Sequence, residues 1–305
     1  MVILDMESPR IERRLRKRPL WVRGARKVGS LALACGGVGA TMTGSSAPMP
    51  IAEIQPLNIV AIGDSFTSGD GLAPYVDETD QQGVDECHRS VQSYPYLVAE
   101  ALPKSTIKSV ACSGADTAGV ENGSKGEGSQ LDALGTDTDV VVMTVGGNDV
   151  MSLGNLAFIC QKYGCGKETD VYSSVKEKIE SLQHVDGVAG LLSKVRSRAP
   201  NAEVLVMGYT ELGDLAKSFV NVAAGKGTEE MAEMVTHELN EANQEAIAKV
   251  GDNRILLVPV DVGLGYQTSG GAVFHPDTSG QKRYADAALT TIRVLYPPAP
   301  PSHPR

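Results

Sequence analysis

Aromatic residues are scarce in this chain: 5% of 305 positions, with a single tryptophan, Trp21, and only four phenylalanines. A surface that stacks sugar rings needs aromatic faces, so glycan recognition has little to work with. Several short patterns are also missing. There is no Walker or GxGxxG loop, no CxxC and no HExxH, which removes the usual sequence support for nucleotide, dinucleotide and zinc chemistry. The GxSxG elbow of another hydrolase class is absent too, because Thr67 stands where its second glycine would be. No Leu-rich span occurs; the longest uncharged run, Val28 to Ala52, is mostly Gly, Ala, Ser and Thr and would insert weakly into a bilayer.

Positive charge is concentrated at one end. Residues 1–30 hold nine Lys/Arg against Asp5, Glu7 and Glu12, a surplus of six in a chain of net charge −9, so the remainder carries −15. A basic segment followed by an uncharged one reads as an export signal. Arg13 and Arg14 suggest a twin-arginine route. Cys35 raises a lipoprotein alternative, although Ala32 occupies the upstream place where such signals usually carry Leu. The strongly acidic remainder should repel nucleic acid, and no stable membrane insertion is expected after cleavage. The boundaries follow: 1–52 export signal and linker, 53–296 catalytic domain, 297–305 a proline-rich tail. Without the leader, Cys87, Cys112, Cys160 and Cys165 remain, an even number suited to disulfides in an oxidising compartment. From the residues alone all three pairings stay open.

Five short apolar runs recur: NIVAIG from Asn58, IKSVAC from Ile107, DVVVMTVGG from Asp139, AEVLVMGY from Ala202 and RILLVPV from Arg254. Continuous apolar character suits parallel strands covered on both faces. Val175, Ile179, Leu182, Val185, Val188, Leu191, Leu192 and Val195 recur at helical steps and predict one helix stripe. Met231, Met234, Val235, Leu239, Ala242, Ala246, Ile247 and Val250 predict another. Alternating strand and helix predicts a three-layer α/β/α doubly wound domain, flavodoxin-like, with a mainly parallel five-stranded sheet. Long insertions at about 67–90 and 151–170 interrupt the rhythm, and loops of that length are usually functional.

In such a sheet, ligands bind beyond the carboxyl ends of the strands. Ser65 follows the first strand, Gly114 the second and Asn148 the third, while His275 lies between the fifth strand and the last helix. Serine needs a base to become a nucleophile, and neutral imidazole is matched to that task. The oxyanion formed in acyl transfer needs fixed donors. The backbone N–H groups of Ser65 and Gly114 and the side-chain amide of Asn148 are candidates. Asp64 reads as a structural cap, and Asn148 and Asp149 could instead close a turn. His184 and His237 read as surface positions on helices, His88 as a loop residue beside Cys87, and His303 as part of the tail.

With the GDS block at Gly63–Ser65, the glycine at 114, the GGND block at Gly146–Asp149 and His275, the chain resembles the GDSL, or SGNH, hydrolase family. The resemblance runs in order from about Asn58 to Leu295. CHRSVQSYP from Cys87 and ACSGADT from Ala111 further resemble its secreted actinobacterial esterase/lipase branch. The resemblance implies Ser65 as nucleophile, His275 as base, and Gly114 and Asn148 as oxyanion donors. It also implies disulfides Cys87–Cys112 and Cys160–Cys165, and no metal or organic cofactor. One departure stands out: Ala272 occupies the place where the family often has an aspartate orienting the histidine. A main-chain carbonyl near Ala272 then takes that part, with Asp277 or another carboxylate as the alternative.

The reading is a secreted carboxylic ester hydrolase working through a Ser–His acyl-enzyme, acting on a small-molecule or lipid ester. An O-acetyl esterase on cell-wall or plant polysaccharide, and a non-catalytic binding module on the same fold, are the alternatives. A flavin- or nucleotide-binding loop at DSFTSGDG is a further rival, disfavoured by the missing phosphate motifs.

Overall fold

Valine, isoleucine and leucine cluster in runs too short for helices, and in a computed structural model these become five parallel strands. The structure describes residues 54–76, 78–150, 159–160, 162–184, 187–210, 227–263, 265–267 and 274–298. The predicted export segment lies outside them, as does all but the first two residues of the predicted tail.

The strands are β1 (Asn58–Gly63), β2 (Thr106–Ser109), β3 (Val140–Thr144), β4 (Glu203–Met207) and β5 (Ile255–Val258). Their order is β2-β1-β3-β4-β5, all parallel. Between and after them come α1 (Ser65–Ser68), α2 (Tyr94–Glu100), α3 (Thr117–Asn122), α4 (Gly147–Val150), α5 (Asp170–Ser181), α6 (Val188–Arg198), α7 (Thr228–Val250) and α8 (Thr278–Leu295). Helix α2 packs with α8, and α5 and α6 both pack on α7. Every residue of β3 is buried, which requires cover on both faces of the sheet.

Two predictions need correction. The second run was expected to be covered on both faces, yet β2 alternates between exposed and partly buried residues. It is the edge strand, paired only with β1, and an edge leaves one side of the strand without a neighbour. The single stripe from Val175 to Val195 is two helices, α5 and α6. The break comes at Gly187, where a Cβ would lie 2.6 Å from the Leu182 carbonyl oxygen; Val188 N–H then donates to that carbonyl at 2.9 Å. A glycine permits this close return of the chain, and helical periodicity continues across the corner because both helices bury the same side. Val185 lies outside the described residues. The stripe on α7 holds, with Met231, Met234, Val235, Leu239, Ala242, Ala246 and Ile247 buried.

In this strand order, β1 and β3 are neighbours while the chain leaves β1 toward β2 on the other side. Such a switch point opens a crevice at the carboxyl ends of the strands, and the candidate residues sit there.

Candidate active site

The first corner depends on a glycine. Gly63 has φ +115°, and a Cβ there would fall 2.2 Å from the Thr144 carbonyl oxygen. Only glycine lets β1 leave the sheet so close to β3. Asp64 follows, and its carboxylate accepts the Phe66 N–H at 3.0 Å, so the short helix α1 starts at Ser65. The capping role read for Asp64 is therefore present, but it is one part of a buried network. The same carboxylate accepts from the hydroxyls of Thr144 and Tyr209, and the Tyr209 oxygen accepts the Gly147 N–H at 3.1 Å. Burial pushes the Asp64 carboxyl up, against the pull of those hydrogen bonds. Burial, with the neighbouring Asp64, pushes the Tyr209 phenol well up.

Ser65 is 6% exposed. Its Oγ lies 2.7 Å from His275 Nε2, across 210 residues of sequence. The imidazole also leans on the Phe66 ring, with centroids 5.4 Å apart. The loop carrying His275 is held by a short antiparallel contact. Gln267 N–H donates to the His275 carbonyl at 2.9 Å, Phe274 N–H to the Gln267 carbonyl at 3.3 Å, and Asp277 N–H to the Gly265 carbonyl at 3.0 Å.

The segment after β2 is bound to the corner that carries Ser65. Cys112 N–H donates to the Gly63 carbonyl and Ser113 N–H to the Cys87 carbonyl, both at 3.0 Å. Gly114 sits at φ +82°, and neither its N–H nor that of Ser65 donates to another described residue. Asn148 Nδ2 donates to the Ala115 carbonyl at 3.0 Å, which sets its amide beside that segment; a side-chain amide carries two N–H groups. Asp149 does more than close a turn: it accepts from the backbone N–H and the hydroxyl of Thr117, tying α4 to the start of α3.

Asp277 accepts the N–H groups of Ser279 and Gly280 at 2.8 and 2.9 Å, as the N-cap of α8. Ala272 lies outside the described residues. The four cysteines form Cys87–Cys112 and Cys160–Cys165. Among the described residues, one cluster gathers potential metal-ligand atoms: Asp85, Cys87 and Glu127. It fits an ion poorly, because Cys87 is held in its disulfide and both carboxylates face Arg89, Glu127 through two hydrogen bonds.

Sequence reasoning missed several residues around the crevice. His88, set aside as a loop residue, places Nδ1 2.8 Å from Asp70 and Nε2 3.4 Å from Asp80, and its ring stacks on Tyr75. Asp70 also accepts the Ser113 hydroxyl at 2.7 Å. The one available signal was a carboxylate five residues beyond Ser65 in a glycine-flanked turn. Tyr209, at the end of β4, carried no local signal.

Fold and site together define a class: ester hydrolases built on a doubly wound sheet, with serine and histidine meeting at its carboxyl edge. The chain belongs to the GDSL-like Lipase/Acylhydrolase family, which its residues 61–283 match, and it is a carboxylic ester hydrolase. It is 30% identical over 213 residues to Lipase 1 of Streptomyces coelicolor, covering 68% of this chain and 72% of that protein. It is 28% identical over 290 residues to Lipase 2 of the same organism, covering 87% and 94%. The fold is shared with phospholipase A1 from Streptomyces albidoflavus, at a TM-score of 0.55 and 21% identity over 77% of this chain and 99% of the other. Among the described residues, no helix is long and apolar enough to cross a membrane.

Proposed function

We propose that this chain is a secreted serine esterase or lipase in which Ser65 is the nucleophile and His275 the general base. The observation that carries the reading is the 2.7 Å approach of Ser65 Oγ to His275 Nε2. Imidazole at that distance can take the serine proton as Oγ attacks the ester carbonyl carbon. The carbonyl oxygen becomes an oxyanion facing the N–H groups of Ser65 and Gly114 and the Asn148 amide, donors fixed before the reaction begins. The proton on Nε2 passes to the departing alkoxide and leaves an acyl-serine. Water then gives a proton to the same nitrogen and attacks the acyl carbon, and collapse returns the serine and releases the acid. Serine, imidazole and dipoles suffice, so the scheme calls for no metal or organic cofactor. By the family resemblance a main-chain carbonyl near Ala272 orients the imidazole, while Asp277 serves as the N-cap of α8.

Low aromatic content favours acyl lipids over polysaccharide esters as substrates. The two disulfides fit an oxidising compartment, and residues 1–52 carry the export signal, ahead of a catalytic domain at 53–296. The decisive test is Ser65→Ala in folded protein. Turnover of a short-chain nitrophenyl ester should vanish, and a serine-directed phosphonate should label the wild type alone. Retained turnover would remove the assignment.

A further inference from the structure

Asp70 is the residue where the loops around the crevice meet. Its N–H donates to the Ser65 carbonyl at 3.1 Å, closing the turn behind the nucleophile. Its own carbonyl accepts the Gln267 side-chain amide at 2.7 Å, and Gln267 holds the His275 loop through the His275 carbonyl. Its carboxylate accepts the hydroxyl of Ser113, next to Gly114, and lies against His88. One residue thus touches the nucleophile turn, the histidine loop and the oxyanion segment, with its side chain only 18% exposed.

Charge gives the position a second meaning. Two carboxylates lie within electrostatic reach of His275, Asp64 and Asp70. Burial drives Asp64 toward its neutral form. Asp70 goes the other way: burial raises its carboxyl, but the Ser113 hydroxyl, the His275 charge and His88 together hold it below the usual carboxylate range. Of the two, Asp70 is the one whose surroundings favour the charged form. Residue 272 is alanine, so no carboxylate comes from that position.

We infer that Asp70 is a positioning residue for the Ser65–His275 pair: its main chain joins the two loops, and its carboxylate stabilises the imidazolium that forms during acyl transfer. This rests on the proposed serine mechanism. A neighbouring anion favours the charged imidazole, which assists proton uptake from Ser65 and keeps the ring in place.

The test is the pH dependence of ester turnover in the full chain for the wild type, Asp70→Asn and Asp70→Glu. Asparagine keeps the shape and the main-chain bonds and removes the charge. It should lower kcat about tenfold with KM within about threefold. The acid limb of kcat/KM should move to lower pH, because removing a nearby anion disfavours the charged imidazole. Asp70→Glu should restore most of the rate. Among the described residues, charged or titratable groups close to Asp70, His275 or Gly114 include Asp64, His88, Asp80, Tyr75 and Lys125, and the variant leaves all of them in place. An unchanged kcat overturns the inference, as does a loss with the limb unmoved and no rescue by glutamate. Should Asp70→Asn fail to fold, Ser113→Ala substitutes, removing the hydroxyl that holds the carboxylate. It should cost about two- to fivefold in kcat, and no loss there is equally fatal. Ser65→Ala separates the two ideas: if it abolishes turnover while Asp70→Asn does nothing, the mechanism stands and the role of Asp70 falls.

Discussion

The insertions after β1 and after β3 each contain a disulfide, but the first is hydrogen-bonded into the site, whereas the described hydrogen bonds of the second stay local. Cys87 and Cys112 are 25 residues apart in sequence and join the insertion to the segment bearing Gly114. Around them Ser90 N–H reaches the Ser68 carbonyl at 2.7 Å, Arg89 reaches the Ala111 carbonyl at 3.3 Å, and Asp70 meets His88. Cys160 and Cys165 are five residues apart. In the described part of their insertion the bonds are local: Gly164 N–H to the Cys160 carbonyl and Thr169 N–H to the Gly166 carbonyl, both 2.9 Å. The same covalent chemistry joins two distant segments beside Ser65 in one place and closes a short loop with both cysteines buried in the other.

The sharpest way to break this contrast is to remove the first bridge. Loop-closure entropy assigns a 25-residue loop about 3.5 kcal/mol of stabilisation. Cys87→Ser with Cys112→Ser should lower denaturant stability by about that amount. Because the bridge holds the segment bearing Gly114, kcat should drop more than about tenfold. Full activity in the double variant would mean that hydrogen bonds alone set the oxyanion segment.

On the β3 side, the site is ordered from beneath. Tyr209 takes the place that an insertion holds on the β1 side, linking Asp64 to Gly147 directly before Asn148. Tyr209→Phe leaves the Gly147 N–H and one Asp64 acceptor unsatisfied, a loss of about 2–3 kcal/mol. With the Asn148 turn loosened, kcat should fall about tenfold and KM little. Equal changes in kcat and KM would assign Tyr209 to general packing.

Arg89 gives a smaller effect with a pH signature. Its guanidinium holds Glu127 below the usual carboxylate range, chiefly through their hydrogen bonds. A carboxylate with a lowered folded-state pKa adds stability that is full above its unfolded value and is lost as pH falls through the folded one. Asp70 contributes in the same sense, while Asp64, raised by burial, works in the opposite one. Arg89→Gln should cost about 1–2 kcal/mol at neutral pH, the pair being partly exposed. It should also flatten the acid decline of the melting temperature. A slope unchanged from the wild type would show that the pair contributes nothing to acid sensitivity.

These residues also mark what sequence can reveal. Strands β1, β3 and β4 were legible because cover on both faces selects unbroken apolar runs; the GDS and GGND blocks because each sits at a strand end, and the histidine block because it falls between the fifth strand and the last helix. The edge position of β2 was not, since a short apolar run does not state how many neighbours it will have. The corner at Gly187 was hidden because α5 and α6 keep one apolar side across it. Asp70 with His88, and Asp64 with Tyr209, are 18 and 145 residues apart; no spacing rule links them, and only folding brings them together.

The second bridge is the control for the whole contrast. A five-residue loop is assigned about 2 kcal/mol by the same entropy relation, and Cys165 lies next to Gly166, which packs against Gly227 at the start of α7 so tightly that a Cβ on Gly227 would lie 2.2 Å from the Gly166 nitrogen. Cys160→Ser with Cys165→Ser should therefore lower the melting temperature modestly while kcat and KM for a short-chain ester stay within about twofold. A kcat loss matching that of the first bridge would mean that this insertion also shapes the reacting geometry, through α4 and the Asn148 turn that precede it in the chain. A loss confined to long-chain esters would assign the loop to the acyl side of the substrate, and the contrast would become one between a wall that fixes the chemistry and a wall that selects the chain.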